Sequence, residues 1–213
     1  EFYDSALLAP LFIVMSFSFG LAVFLLVLMA ACRGSGRALG AALLERLGRL
    51  LGVFVAAVLY VVAVYHLTNL YIARQHEIER FVLLEGGVYT ALFWVGQVLV
   101  GGIVPLVLLF TPAFRRSGQA VAAAAVCVIL GGLAQIYVLI IGGQAFPQLM
   151  FPGKEVTSSF FDGVVAAYAP SLPEVALGVG GVALALALTV VALRALPFLP
   201  RSLADGEAEP TSA

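Results

Sequence analysis

Residues 65–97 read YHLTNLYIARQHEIERFVLLEGGVYTALFWVGQ, and the polar side chains of this stretch decide how the rest of the chain is arranged. Long charge-free runs lie on both sides of it. Polar groups are costly in apolar surroundings, so the stretch is either a solvated tip between two helices or the wall of a site. We expect HEIER at 76–80 to form the exposed tip and the residues on either side of it to contribute to a site.

The composition places the protein in a membrane. Hydrophobic residues make up 62% of the 213 residues and charged residues only 11%, whereas a soluble domain has about a quarter charged residues. The net charge of -1 provides no basic face for a nucleic acid. Cys32 and Cys127 lie in apolar runs without other ligands at metal-binding spacing, so we expect no metal site in this chain. Any iron–sulfur cluster or haem would then belong to a partner subunit.

Five charge-free runs are each close to or longer than the ~20 residues that cross a hydrocarbon core. Because a spanning segment must satisfy its own backbone, the sequence predicts an all-α integral membrane protein with five transmembrane helices. The predicted spans are residues 6–32, 50–73, 86–114, 118–146 and 174–196, within a bundle over residues 1–200. The segments between and after them are predicted as an interfacial helix at 37–51, an outer loop at 147–173 and a disordered tail at 201–213.

The basic residues lie mainly on one side of the predicted membrane. Those that follow the first, third and fifth spans are Arg33, Arg37, Arg46, Arg49, Arg115, Arg116, Arg194 and Arg201. The positive-inside rule predicts that this side is cytoplasmic, which puts the C-terminus inside and the N-terminus outside. Since no signal sequence opens the chain, we expect an odd number of helices to precede residue 1 in a parent protein of about ten spans.

Polar side chains within the spans are concentrated toward the predicted outer side. His66 lies about 12 Å inside Arg74 by the helical rise, and Asn69 shares its helix face. Glu85, Tyr89 and Gln97 recur at multiples of four residues and predict one polar stripe. The candidates for a quinone site or a proton path are His66, Asn69, Glu85, Tyr89, Gln97, Gln135 and Gln144. The candidates for partner docking are Arg74, His76, Glu77, Arg80 and Asp162.

These residue types suit a quinone. Its two carbonyl groups accept hydrogen bonds from His, Asn, Gln or Tyr, and quinol oxidation needs a base such as Glu85. Two structural interpretations stay open, in which His66 and the glutamines only link helices and Glu85 only begins a helix. HEIER at 76–80 lacks the second His of a zinc-binding HExxH motif, and the chain has no nucleophile elbow or phosphate-binding glycine loop. We therefore assign no catalytic residue.

Four stretches carry a resemblance to a known family. SALLAPLFIVMSFSFGLAVFLLV at 5–27 and FWVGQVLVGGIVPLVLLF at 93–110 resemble the second half of the NrfD-like proteins, the polysulfide reductase membrane-subunit family. IIGGQ at 140–144 and YAPSLPE at 168–174 resemble the late loop and the final-helix start of its ten-helix branch. That branch includes the membrane subunits of hydrogenase-2, of alternative complex III and of the Dsr sulfite-reduction-associated complex, the last being the most similar.

The resemblance implies a multi-pass subunit of a bacterial or archaeal cytoplasmic membrane that works in sulfur metabolism. Its partners would be membrane lipid, transiently bound menaquinone or ubiquinone, and a ferredoxin-like iron–sulfur subunit on the outer face, with a multihaem cytochrome or further subunits. The family's quinone pocket is usually associated with the first helical bundle, so His66 and Glu85 would instead form a proton route or a docking surface. One repeat of a secondary transporter and an anchor that binds no quinone are the alternatives.

Overall fold

The structure is a computed structural model that describes residues 3, 5–114, 117–146, 165, 168–196 and 202–205. Five of its helices are long and apolar enough to cross a membrane, and within these ranges no β-strand forms. They are α1 (Leu8–Gly34), α2 (Ala41–Tyr71), α4 (Val88–Phe110), α5 (Gly118–Ala145) and α6 (Leu172–Ala195). The prediction of an all-α membrane protein with five spanning helices is confirmed.

A short helical segment joins α2 to α4. It consists of a 3₁₀ turn (Ala73–Gln75), the five-residue helix α3 (His76–Arg80) and a π-helical turn (Phe81–Glu85). Gly86 and Gly87 then end this segment, and Gly87 adopts a φ of 56°, which glycine tolerates without strain. The helical segment therefore ends before α4 begins.

The second spanning helix begins earlier than predicted. α2 runs without interruption for 31 residues from Ala41, so the separate interfacial helix predicted at 37–51 is wrong. Its apolar residues do have helical spacing, but Leu44 and Leu51 are buried in the protein interior. Gly48, on the same face, lies against Leu109 and Val121. The apolar face thus packs against helices instead of lying on the membrane surface.

Helices α1, α2, α4 and α5 pack together as a four-helix bundle with two buried apolar clusters. One cluster lies at the end of the bundle that carries α3, which we call the α3 end, and includes Leu11, Met15, Val62, Ile78, Phe81, Val82, Phe93, Val138 and Leu139. The other cluster lies at the opposite end of the bundle, where the connection from α1 to α2 carries Arg33 and Arg37, and we call this the arginine end. It includes Ala22, Leu25, Leu51, Val55, Leu109, Val121, Ala124, Ala125 and Val128.

Helix α6 lies at the periphery, and none of its residues is buried. Its start is fixed by a capping box, in which the Glu174 carboxylate accepts the Ser171 backbone N–H at 2.7 Å.

Two residues of the predicted tail contact the start of α2 at the arginine end. The Asp205 carboxylate accepts the backbone N–H groups of Ala41 and Ala42 at 3.0 and 3.1 Å, and Leu203 pairs with the backbone beside Leu39. The first N–H groups of any helix lack partners within the helix, and Asp205 supplies one for α2. The rest of the tail and most of the predicted outer loop, including Asp162, lie outside the described residues.

Candidate functional site

A buried carboxylate lies at the centre of a polar cluster at the α3 end. Glu79 on α3 is only 1% exposed. Its Oε2 lies 2.6 Å from His66 Nδ1, and its Oε1 accepts a hydrogen bond from Asn69 Nδ2 at 2.8 Å. When Glu79 is an ionised carboxylate it only accepts, and His66 then donates from Nδ1. We call Glu79, His66 and Asn69 the Glu79 cluster.

Helix α3 turns Glu79 into the bundle because one of its faces is apolar. Ile78, Glu79 and the following Phe81 are buried, whereas Glu77 and Arg80 are exposed. Ile78 and Phe81 pack into the apolar cluster of the α3 end, and their burial holds Glu79 beside α2. The prediction that HEIER at 76–80 forms a solvated tip is therefore wrong for Ile78 and Glu79.

The other two members of the Glu79 cluster lie one turn apart on α2. Asn69 is 2% exposed, whereas the His66 side chain is 15% exposed. The His66 ring packs edge-on against the rings of Tyr65 and Phe93, with centroid separations of 5.1 and 4.7 Å. Carboxylate and aromatic contacts together hold the imidazole in one orientation.

A small cavity of about 20 Å³ adjoins the Glu79 cluster. Its polar lining consists of Tyr65, His66, Glu79, Gln97 and Gln135. A cavity of this volume holds about one water molecule and is too small for a quinone ring.

A second cavity of about 20 Å³ lies nearer the arginine end. Gln97 and Gln135 line it as well, together with Ser18, Gly101 and Gly131. The two glutamines thus stand between the two cavities.

Both cavities lie where the spanning helices widen. Gln97 belongs to a π-helical segment of α4 (Leu92–Ile103), and Val138 belongs to a π-helical segment of α5 (Val138–Gly142). π-Helical turns are rare and occur frequently at functional sites.

The structure brings together four of the residues predicted for a quinone site or a proton path. They are His66, Asn69, Gln97 and Gln135. Tyr89 is also buried at this end, where its ring stacks on Tyr137 with a centroid separation of 6.1 Å. Gln144 is exposed and does not line either cavity.

Glu85 is not part of the predicted stripe. It precedes the break at Gly86 and Gly87, so it does not belong to α4, where Tyr89 and Gln97 are buried. Its carboxylate instead forms an ion pair with Arg80 at 2.6 Å, and both side chains are largely exposed. Such exposed pairs contribute about 0–1 kcal/mol to stability.

The residues predicted to dock a partner lie on the outside of the α3 end, as far as the structure describes them. Arg74, His76, Glu77 and Arg80 are exposed. His76 Nε2 lies 2.6 Å from the Leu70 carbonyl oxygen. Nowhere in the described ranges do three or more His, Cys, Asp or Glu side chains come together as metal ligands.

Glu79 and Ser18 are the residues of this region that sequence reasoning missed. Glu79 lies on one helical face with Gln75, Ile78 and Val82, and this spacing is the signal that could have identified it. Ser18 is an isolated hydroxyl in an apolar span, and nothing in its neighbourhood distinguishes it from Ser16.

Known proteins match most of the chain. The profile described as "Polysulphide reductase, NrfD" matches residues 1–148. An Hdr-like menaquinol oxidoreductase integral membrane subunit of Archaeoglobus fulgidus is 30% identical over 203 residues, which cover 94% of this chain and 51% of that protein. A protein of Halobacterium salinarum, assigned as a membrane subunit of a dimethyl sulfoxide reductase, is 29% identical over 204 residues, which cover 91% of this chain and 46% of that protein.

The chain thus spans about half the length of these relatives, and no solved structure matches it significantly. The profile match covers more than half of the chain and includes three of the four stretches on which the resemblance was based, namely 5–27, 93–110 and 140–144. The resemblance is confirmed, and the protein belongs to the NrfD family of polysulphide reductase membrane proteins.

Proposed function

We propose that this protein is the quinone-interacting membrane subunit of an oxidoreductase complex of sulfur metabolism. It exchanges electrons between menaquinone or ubiquinone and an iron–sulfur subunit that docks at the α3 end, on the outer face of a bacterial or archaeal cytoplasmic membrane. Membership of the NrfD family and the name of the Archaeoglobus relative support the quinone link. The arginine distribution supports this orientation, with the C-terminus in the cytoplasm.

The Glu79 cluster is the observation that carries the proposal. Burying a carboxylate and an imidazole in a membrane bundle is costly, and such groups usually mark a pathway or a site. Quinol oxidation provides a use for them, because two protons leave the quinol as two electrons pass to the iron–sulfur acceptor. The cluster accepts one of these protons, and the other passes directly to the aqueous phase at the outer face. Asn69 positions the carboxylate through its hydrogen bond to Oε1.

The cavity volume restricts how a quinone approaches the cluster. Because the cavity beside Glu79 holds only a water molecule, the quinone ring stays outside the four-helix bundle. It approaches the exposed 15% of the His66 side chain, the one member of the cluster that is not fully buried. A proton then passes from the quinol to the cluster through the imidazole.

The partner docks through the exposed surface of α3. Arg74, His76, Glu77 and Arg80 supply both signs of charge at this surface. Polar residues of mixed charge set the orientation and the association rate of a docking partner more than its affinity. An iron–sulfur subunit held here lies directly over the Glu79 cluster.

Purification of the intact complex through a tag on this chain tests the proposal. We expect a quinone in the lipid extract and an iron–sulfur protein among the copurified chains.

We also expect His66→Ala to slow quinol oxidation by about tenfold to a hundredfold, because the imidazole relays the proton. The matched control is Glu85→Gln, which alters an exposed residue of the same end and should leave the rate unchanged. A complex without quinone that does not oxidise quinol would identify the protein as a pure anchor.

A further inference from the structure

A groove separates α6 from the four-helix bundle at the arginine end. It has a volume of about 550 Å³ and lies between the C-terminal parts of α1 and α6. Protein pockets that hold small molecules have volumes of about 300–1,000 Å³. The cavities beside Glu79 and Ser18, in contrast, hold one water molecule each. The groove is therefore large enough for an acyl chain.

The walls of the groove are apolar over most of their length. Leu26 lines the side formed by α1, and Leu186 and Val190 line the side formed by α6. The hydroxyl groups of Ser35 and Thr189 also line the groove, but each donates its hydrogen to a backbone carbonyl oxygen one helical turn earlier. Since a hydroxyl group has one hydrogen to donate, these walls offer no donor to a polar ligand.

Two arginine side chains line the polar end of the groove. Arg194 lies in the last turn of α6, and Arg37 follows the end of α1. Within the described ranges Arg194 forms no ion pair, Glu45 pairs with Arg49, and the Asp205 carboxylate accepts backbone N–H groups of α2. A guanidinium group presents five N–H donors in a planar fork that matches a phosphate. This end of the groove therefore favours a phosphate group.

The groove extends through most of one membrane leaflet. Both from Leu26 to Gly34 along α1 and from Leu186 to Arg194 along α6, the helical rise gives about 12 Å. Half of the hydrocarbon core of a bilayer is about 15 Å thick. A molecule that fits the groove thus has an anionic head at the level of the arginines and an apolar tail that reaches toward the membrane centre. A phospholipid has this form, whereas a quinone has no negative charge.

We propose that this groove binds an anionic phospholipid of the leaflet at the arginine end. Its phosphate contacts Arg37 and Arg194, and one acyl chain packs against Leu186 and Val190. Basic pockets between spanning helices bind anionic lipid head groups through the same chemistry. No residue of α6 is buried, so the lipid supplies packing that this helix lacks in the protein. The site needs neither quinone nor an iron–sulfur partner, so it is independent of the proposed function.

The test identifies which lipid lies in the groove of the intact complex. A photoreactive diazirine amino acid replaces Val190, which lines the groove. The complex is reconstituted in vesicles of equal parts phosphatidylglycerol and phosphatidylcholine with the same acyl chains. Illumination joins the diazirine to the adjacent molecule, and mass spectrometry identifies the adduct. The matched control has the same amino acid in place of Val191, which is exposed at the same depth but does not line the groove.

We expect the ratio of phosphatidylglycerol to phosphatidylcholine adducts to be at least about fivefold higher at position 190 than at position 191. Each arginine near a membrane surface raises the affinity for an anionic lipid about fivefold. Arg194→Gln should therefore remove most of the preference at position 190. Arg33→Gln should leave it unchanged, because Arg33 is exposed at the same end but does not line the groove.

Three results would overturn the lipid site. They are the same adduct ratio at both positions, a preference at position 190 that survives Arg194→Gln, and an adduct with protein in place of lipid. The last result would mean that a helix of this chain, of a second copy or of a partner fills the groove. If Arg194→Gln does not assemble, Arg37→Gln replaces it, and the comparison of the two positions in the otherwise unsubstituted complex still decides the matter.

Discussion

Replacing Glu79 by Gln is expected to slow quinol oxidation by the assembled complex about a hundredfold, because a positioned proton acceptor contributes about 10²–10⁴-fold to such a reaction. Glutamine has nearly the same shape as glutamate, and its carbonyl oxygen can still accept the hydrogen bond from Asn69. It cannot take up a proton at neutral pH. The substitution therefore removes the proton chemistry of Glu79 and preserves most of its packing.

The matched control for this substitution is Glu85→Gln. Glu85 lies at the same end of the bundle and carries the same charge, but it is exposed. We expect quinol oxidation by this variant to match the unsubstituted complex. Glu79→Ala should in addition destabilise the protein by about 1–3 kcal/mol, because it leaves the buried N–H groups of His66 and Asn69 without their acceptor. Normal turnover by an assembled Glu79→Gln complex would reduce Glu79 to a structural role.

The second large effect is expected for Gly131→Ala. A Cβ atom at Gly131 would overlap Gly101 Cα and lie 2.8 Å from Gly101 N, in the contact between α4 and α5. Backbone atoms cannot rotate away as side chains do, so the two helices must separate. We expect a loss of at least about 1–3 kcal/mol of stability, with a lower unfolding temperature in detergent and less assembled complex.

Gly180→Ala is the control for the loss of a glycine in a spanning helix. A Cβ atom at Gly180, on the peripheral helix α6, would have no atom within 4 Å. Alanine also favours a helix over glycine by about 1 kcal/mol, so this variant should be as stable as the unsubstituted chain or slightly more stable. If both glycine variants lowered the unfolding temperature equally, close packing of α4 on α5 could not be the reason.

The arrangement of helices could be predicted from the sequence to a large extent. Charge-free runs indicate the five spans, and each must be a helix because its backbone groups have to be hydrogen-bonded within the segment in the membrane. The start of α2 could not be predicted in this way, because Glu45, Arg46 and Arg49 suggested a surface helix. Burial of Leu44 and Leu51 between helices, which depends on the tertiary packing, extends α2 through this charged region.

The site was predictable only where its residues lie on a regular spanning helix. His66 and Asn69 stand out as polar residues one turn apart in an apolar run. Glu79 does not, because HEIER has the composition of a solvated turn and only the burial of Ile78 and Phe81 reveals its inner face. The sequence prediction put Glu85 in the polar stripe because it assumed one continuous helix from Glu85 to Tyr89. Gly86 and Gly87 interrupt that helix.

The transporter alternative has less support in the described part of the chain. That interpretation expects broken helices with charged groups at mid-depth. The polar residues around the second cavity are Ser18, Gln97 and Gln135, all uncharged, and the ionisable members of the Glu79 cluster lie toward the α3 end. Uncharged groups of this kind do not provide the charged mid-depth site that a transporter repeat would need.

An infrared difference spectrum of the complex, recorded between its quinol-reduced and oxidised states, tests most directly whether the Glu79 cluster exchanges a proton during quinone turnover. If it does, we expect a carboxyl band that changes with the redox state and shifts in D₂O. This band should disappear in Glu79→Gln but not in Glu85→Gln. A redox difference spectrum with the same carboxyl bands in all three proteins would contradict proton exchange at Glu79.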